Sequence, residues 1–124
     1  MSPIRLSRIE SSLRLIISFN EACNRHDVAQ MLGHMSDDCR FEHSGPAPDG
    51  AVYLGKAEIA RFWQARFRDA PHSHIEIEDV FGLGRRCIMY WRYDAGAGGE
   101  AVRGVDIFRV RDGVISEMLS YVQA

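Results

Sequence analysis

The sequence predicts an α+β fold in which helices come first and a run of antiparallel strands follows. Two patterns carry this expectation: apolar residues recur at helical spacing as far as Ala70, and from His74 onward the chain reads as extended segments divided by turn signals. Length supplies a third. At 124 residues with 46% hydrophobic content, the chain can build one core and has little left for another, so residues 1–124 are expected to form a single domain.

Ile9, Leu13, Ile16, Asn20 and Cys23 recur at intervals of four and three, the period of one buried helix face, while Glu10, Arg14 and Glu21 fall off that stripe. This predicts a long first helix. Asp27 can accept from the free N–H groups of the following turn while Gln30 reaches back, which predicts a short, capped helix running through Met35 and weakened by Gly33. Asp37 and Asp38 punctuate; Cys39 to His43 then reads as a short strand entering the Gly/Pro-rich loop Ser44 to Gly50. Ile59, Phe62, Trp63, Arg66 and Phe67 repeat with helical period between Gly55 and Ala70 and predict a third helix, stopped by Pro71.

Four strands are expected after it: Ile75 to Phe81, Arg86 to Asp94, Ala101 to Arg109, and Val114 to Val122. Ala95 to Gly99 reads as a hairpin loop, and Asp112-Gly113 as a tight primed turn. In the third of these strands Asp106, Phe108 and Val110 share one face while Val105, Ile107 and Arg109 share the other, so both faces are largely apolar. Helices cover one face. The other is expected to be covered by a second copy of the chain, making a homodimer through the outer sheet face.

Composition narrows the function. Fifteen Lys and Arg against 17 Asp and Glu leave a formal charge of -2, with no basic field to hold a phosphate backbone, so nucleic acid is not an expected partner. The apolar stretch Leu15 to Phe19 is broken by Ser18, closely preceded by Arg14 and followed by no small-residue cleavage site; neither a signal peptide nor a membrane span is expected. Cys23, Cys39 and Cys87 form an odd set without C-x-x-C spacing, which points to a reducing, cytoplasmic setting rather than a disulfide framework. His72-Ser73-His74 lacks the further ligands a metal site needs, and no Gly-rich loop opens a helix after a strand. No metal and no cofactor is expected.

The element order resembles the nuclear transport factor 2-like superfamily, and in particular its SnoaL-like and ketosteroid-isomerase-like branches. The motifs that carry the likeness are Asn24-Arg25-His26-Asp27, Asp37-Asp38-Cys39-Arg40-Phe41-Glu42-His43, Gly55-Lys56-Ala57-Glu58-Ile59, and Arg103 through Gly113. The resemblance implies a cystatin-like, cone-shaped, curved antiparallel sheet wrapped around N-terminal helices, with polar groups on inward strand positions facing an apolar cavity. It places Asp106 where the isomerases keep a protonated Asp as oxyanion donor and the SnoaL-like cyclases their acid/base Asp, and it places His43 where the isomerases carry their proton-abstracting Asp.

Two positions depart from these relatives. Phe19 stands where the isomerases have an oxyanion Tyr, so ketosteroid isomerisation itself is not expected. Arg92-Tyr93-Asp94 echoes the limonene epoxide hydrolases, but Ser120 stands in place of their second Asp, and Arg92 and Asp94 read instead as a solvated strand-end pair.

The expected activity is cofactor-independent acid/base enolisation of an apolar carbonyl compound, as in an isomerase or cyclase. His43 is the expected base and Asp106, held neutral by apolar neighbours, the expected donor. Phe19, Tyr53, Phe62, Trp63, Phe108, Met118, Ser120 and Val122 are the expected substrate-contacting residues. An alternative reading needs the same cavity but no matched acid and base: a non-catalytic protein that binds a small hydrophobic molecule, or an accessory subunit.

Overall fold

Helical periodicity resolves into α1 (Pro3–Asn24), α2 (Val28–Gly33) and α3 (Gly55–Asp69). The extended segments become β1 (Met35–His43), β2 (Ala51–Leu54), β3 (His74–Leu83), β4 (Arg86–Asp94), β5 (Val102–Arg111) and β6 (Val114–Val122). The structure, a computed structural model, describes residues 3–83, 85–96 and 98–123. Ala97, inside the expected loop Ala95 to Gly99, lies outside the described residues.

One six-stranded sheet runs in the order β2-β1-β6-β5-β4-β3, with the helices on one side of it. Strands β3 to β6 form the expected antiparallel meander, and Asp112-Gly113 turns the last hairpin with both residues at positive φ (53° and 79°). Strand β1 differs from its neighbours: it pairs antiparallel with β2 but parallel with β6. It also begins at Met35, where the expected short helix was to end, and runs through Asp37 and Asp38 with an irregularity before Arg40. Those two aspartates do not end a strand because their carboxylates find partners at the surface, Asp37 with Lys56 (3.3 Å) and Asp38 with Arg111 (3.0 Å). Strand β2 follows the Ser44 to Gly50 loop and is too short to show a period of its own.

Polar side chains fix how the helices meet the sheet. Asn24 brackets the backbone of Ile75, donating to its carbonyl (2.8 Å) and accepting from its N–H (2.7 Å), while Asn20 donates to the same carbonyl (3.2 Å). These bonds satisfy backbone groups at the start of β3 that would otherwise be buried unpaired. Asp27 caps α2 through the Gln30 N–H (3.1 Å) as expected, but the Gln30 side chain bonds Arg25 instead of reaching back. His26 stacks on Phe67 (4.2 Å) and its Nε2 meets the Ser73 carbonyl (3.1 Å), joining the α1–α2 corner to the segment after α3.

The core lies between α1, α3 and the concave sheet face, with Ile16, Phe41, Ile59, Phe108 and Ile115 fully enclosed. Phe81, Tyr90 and Tyr121 stay exposed on the opposite face, beside half-buried Ile88, Val105, Ile107 and Leu119. Among the described residues no helix is long and apolar enough to cross a membrane.

Candidate functional site

A cavity of about 480 Å³ opens between α3 and the concave face of the sheet. Its sheet wall carries a row of polar residues that no stretch of sequence holds together. His43 on β1 lies opposite Ser120 on β6, and Ser120 lies opposite Asp106 on β5. All three side chains border the cavity. Their Cα atoms step across two strand spacings, so His43 and Asp106 stand roughly 10 Å apart, with Ser120 between them.

Asp106 is 4% exposed and surrounded by apolar wall. Burial pushes its carboxyl up to about 7, against the opposing pull of hydrogen bonds from Ser120 and Trp91. The Trp91 indole N–H donates to Asp106 Oδ1 at 2.8 Å. This contact depends on Gly104, which pairs with Trp91 across β4 and β5 and sits two residues before Asp106 on the same strand face. A Cβ at Gly104 would fall 2.5 Å from both Trp91 Cη2 and the Tyr121 carbonyl oxygen, so the missing side chain is what lets the indole lie across β5 and reach the carboxyl.

His43 is half-buried at the end of β1, where the loop turns away. The loop is fastened beside it, with Ser44 N–H donating to the Ser120 carbonyl (2.9 Å) and Ser44 Oγ accepting from Val122 N–H (3.0 Å). Burial lowers the imidazole below its ordinary value and the Arg66 charge lowers it further, while a backbone hydrogen bond at Gly45 works against both. The ring is therefore mainly neutral at pH 7. Gly45 N–H points at Nδ1 from 3.0 Å, closer than the Gly45 carbonyl at 3.4 Å. An amide N–H can only donate, so Nδ1 must keep its lone pair and the ring proton of neutral His43 sits on Nε2.

Of the other residues expected to touch a ligand, Phe62, Trp63, Met118, Ser120 and Val122 line the cavity. Three do not. Phe19 and Phe108 pack edge-on against each other in the core (6.1 Å) and do not border the cavity, although Met118, opposite Phe108 on β6, does. Tyr53 stacks behind Phe41 (5.7 Å) and faces a separate outer recess beside Arg61 and Glu58.

A family model for the SnoaL-like domain matches residues 16–118. The chain belongs to the SnoaL-like family. Among solved structures, an NTF2-like protein of unknown function from Mesorhizobium loti is 34% identical, with a TM-score of 0.82 and 94% of each chain covered. A cystatin-fold protein from Novosphingobium aromaticivorans is 23% identical over 87% of this chain and 95% of its own, with a TM-score of 0.76. A proposed polyketide cyclase from Xanthomonas campestris is 23% identical over 92% of this chain and 91% of its own, with a TM-score of 0.72. A comparison with curated proteins finds no match.

Several wall residues of this SnoaL-like cavity were not singled out by the sequence. Trp91 and Tyr93 point inward from β4, while Arg92 and Asp94, alternating with them, are exposed, with Asp94 accepting from the Gly96 N–H (2.8 Å). A glycine inside an otherwise apolar strand marks close approach, and that signal at Gly104 was available. Arg66 was placed on the buried stripe of α3 without a role; the structure sets it at the rim of the cavity.

Proposed function

We propose that this SnoaL-like protein is a cofactor-independent acid/base enzyme that enolises an apolar carbonyl compound, in an isomerisation or an intramolecular aldol cyclisation. The observation that carries this reading is the row His43, Ser120, Asp106 facing one apolar cavity. The likeness to the Xanthomonas protein, and to a proposed ketosteroid isomerase from Kribbella flavida at a TM-score of 0.79, supports the class of chemistry. TerC, another neighbour, was co-crystallised with polyporic acid, which supports a cavity suited to an oxygenated aromatic compound.

The hydrogen bonds favour roles opposite to those suggested by the sequence. With Nδ1 occupied by Gly45, neutral His43 offers Nε2–H to the cavity and has no lone pair free to take a carbon-bound proton. Asp106 titrates near neutrality, where a carboxylate is both available and far more basic than in water. In this scheme Asp106 removes the proton α to the carbonyl, and His43 Nε2–H donates to the oxygen as it becomes an enolate, with a neutral imidazole serving as the electrophile. The proton on Asp106 is then returned, to another carbon in an isomerisation or to the new alkoxide in an aldol closure. No electrons are exchanged with an outside partner.

Exchange of α-protons for deuterium in 2-tetralone, followed by NMR, measures this step without knowledge of the natural substrate. The rate above buffer is expected to rise with pH through about 7 and then level, because the carboxylate of Asp106 is the active form. A rate that falls through the same range would restore Asp106 as the acid and His43 as the base. No acceleration with 2-tetralone or a panel of larger apolar ketones would favour the non-catalytic pocket protein.

We also propose that the outer sheet face joins two copies of the chain. Phe81, Tyr90 and Tyr121 form part of an exposed apolar band there, larger in character than the scattered single residues normal for a surface. Sedimentation is expected to give twice the chain mass at micromolar concentration, and Tyr90→Glu with Tyr121→Glu to give the single-chain mass; a wild-type monomer would remove the proposal.

A further inference from the structure

Arg66 is out of place in an apolar cavity unless something with negative charge joins it there. It lies one turn after Phe62 on α3, half-buried, and borders both the main cavity and the outer recess. Its guanidinium is held over two rings, 5.0 Å from the centre of Phe62 and 5.5 Å from that of Tyr93, so it spans from the helix to strand β4 at the cavity rim. Aromatic faces orient a guanidinium and tolerate its charge, but they leave the five N–H donors in its own plane free for an acceptor. Among the described residues no carboxylate lies within ion-pair distance of Arg66, and no side-chain or backbone oxygen accepts from it. Arg14, Arg103 and Arg111 have acidic partners, and Arg61, Arg86, Arg92 and Arg109, which have none, are exposed to water, whereas Arg66 is half-buried against two rings beside the apolar cavity.

We propose that Arg66 is the recognition site for an anionic oxygen group on the ligand, a carboxylate or an ionised phenol or enol, carried by an otherwise apolar molecule. This rests on the reading of the cavity as a ligand site and names the class of molecule it selects. The body of the ligand lies along Phe62, Trp63 and Met118, its reacting carbonyl reaches the His43–Asp106 row, and its acidic group stays at the rim with Arg66. A guanidinium fork matches both oxygens of a carboxylate or donates twice to the single oxygen of a phenolate or enolate, and the fixed position over Phe62 and Tyr93 means little side-chain freedom is lost on binding. The charged or titratable groups bordering the same space are His43, Asp106 and Tyr93; ionised Asp106 repels an anion, and Arg66 at the rim keeps that anion away from the base.

Two fluorescent probes with one aromatic skeleton test this: 8-anilinonaphthalene-1-sulfonate, which is an anion, and N-phenyl-1-naphthylamine, which lacks the sulfonate. Both are titrated into the full chain, and the sulfonate is used to displace the naphthylamine so that a shared site is established. Arg66→Leu is expected to weaken the sulfonate about tenfold or more and leave the naphthylamine within about twofold, while Arg66→Lys keeps most of the preference. Equal losses for both probes, an unchanged sulfonate affinity, or failure of the sulfonate to displace the naphthylamine would each overturn the proposal. The readout is binding, so loss of proton exchange with charge selection intact ends the catalytic reading alone, and the reverse outcome ends this one alone.

Discussion

Asp106→Asn is expected to stop proton exchange and, at pH 8, to make the protein more stable. Asp106 is buried with a carboxyl that burial pushes from an ordinary 3.8 to about 7. In the unfolded chain the same group ionises at its ordinary value, so between those two values the folded state holds more protons than the unfolded one. By linkage, stability then declines as pH rises through that window. Above about 7 the folded protein carries a buried carboxylate whose cost is on the order of 4 kcal/mol relative to the neutral acid. Asparagine keeps the shape, its Oδ1 still accepts from Trp91 Nε1, and its amide can donate to Ser120, so the cost disappears without a new unpaired group. A melting temperature several degrees above wild type at pH 8, converging with wild type at pH 4, is the expected result. Exchange of 2-tetralone protons falls by about two to four orders of magnitude, the usual contribution of a general base. Equal melting temperatures at pH 8 would mean that the folded protein does not desolvate this carboxyl.

Gly104→Ala is expected to damage fold and site together. The added methyl meets the Trp91 ring and the Tyr121 carbonyl; the ring can swing away, but the carbonyl belongs to the ladder between β5 and β6. Overpacking of this kind costs about 1–3 kcal/mol. Displacing the indole also removes the N–H that favours the ionised form of Asp106, so the pH midpoint of exchange moves above about 7. Trp91→Phe separates the two effects: it removes the same donor without crowding β5, so it shifts the midpoint in the same direction while leaving the β5–β6 ladder untouched. If Gly104→Ala melts with wild type and keeps the wild-type midpoint, the indole does not rely on that gap.

Both predictions concern a buried acid that the protein retains at a cost in stability. Acid residues in such positions are uncommon among purely structural ones, since an asparagine or a hydrophobe would serve the core better. The His43 imidazole beside Arg66 fits the same pattern, since burial and a neighbouring cation both disfavour its charge. In the proposed scheme, different surroundings make one of these two titratable groups the base and the other a neutral donor near pH 7.

What was legible in the sequence is what depends on local period. The α1 stripe of Ile16, Asn20 and Cys23, the α3 stripe of Ile59 and Trp63, and the inward placement of Asp106 and Phe108 follow from the 3.6- and 2-residue repeats of the backbone, which any short window displays. His43 and Asp106 stood out because the family resemblance places them at the isomerases' base and oxyanion-donor positions, with Phe108 and Val110 sharing the strand face of Asp106. The tertiary structure alone decided the rest, because it depends on which distant segments become neighbours. Parallel pairing of β1 with β6 brings His43, Ser120 and Asp106 into one row, although 77 and 14 residues of chain separate the outer two from Ser120. Phe19 on α1 and Phe108 on β5 pack against each other in the core rather than on the cavity, a contact between distant segments that no local period shows. The hold of Gly45 on Nδ1 is a bend only two residues from His43, which no periodic pattern displays; that Trp91 lies in the space above Gly104 and that Arg66 meets no carboxylate are properties of atoms brought together by long-range packing.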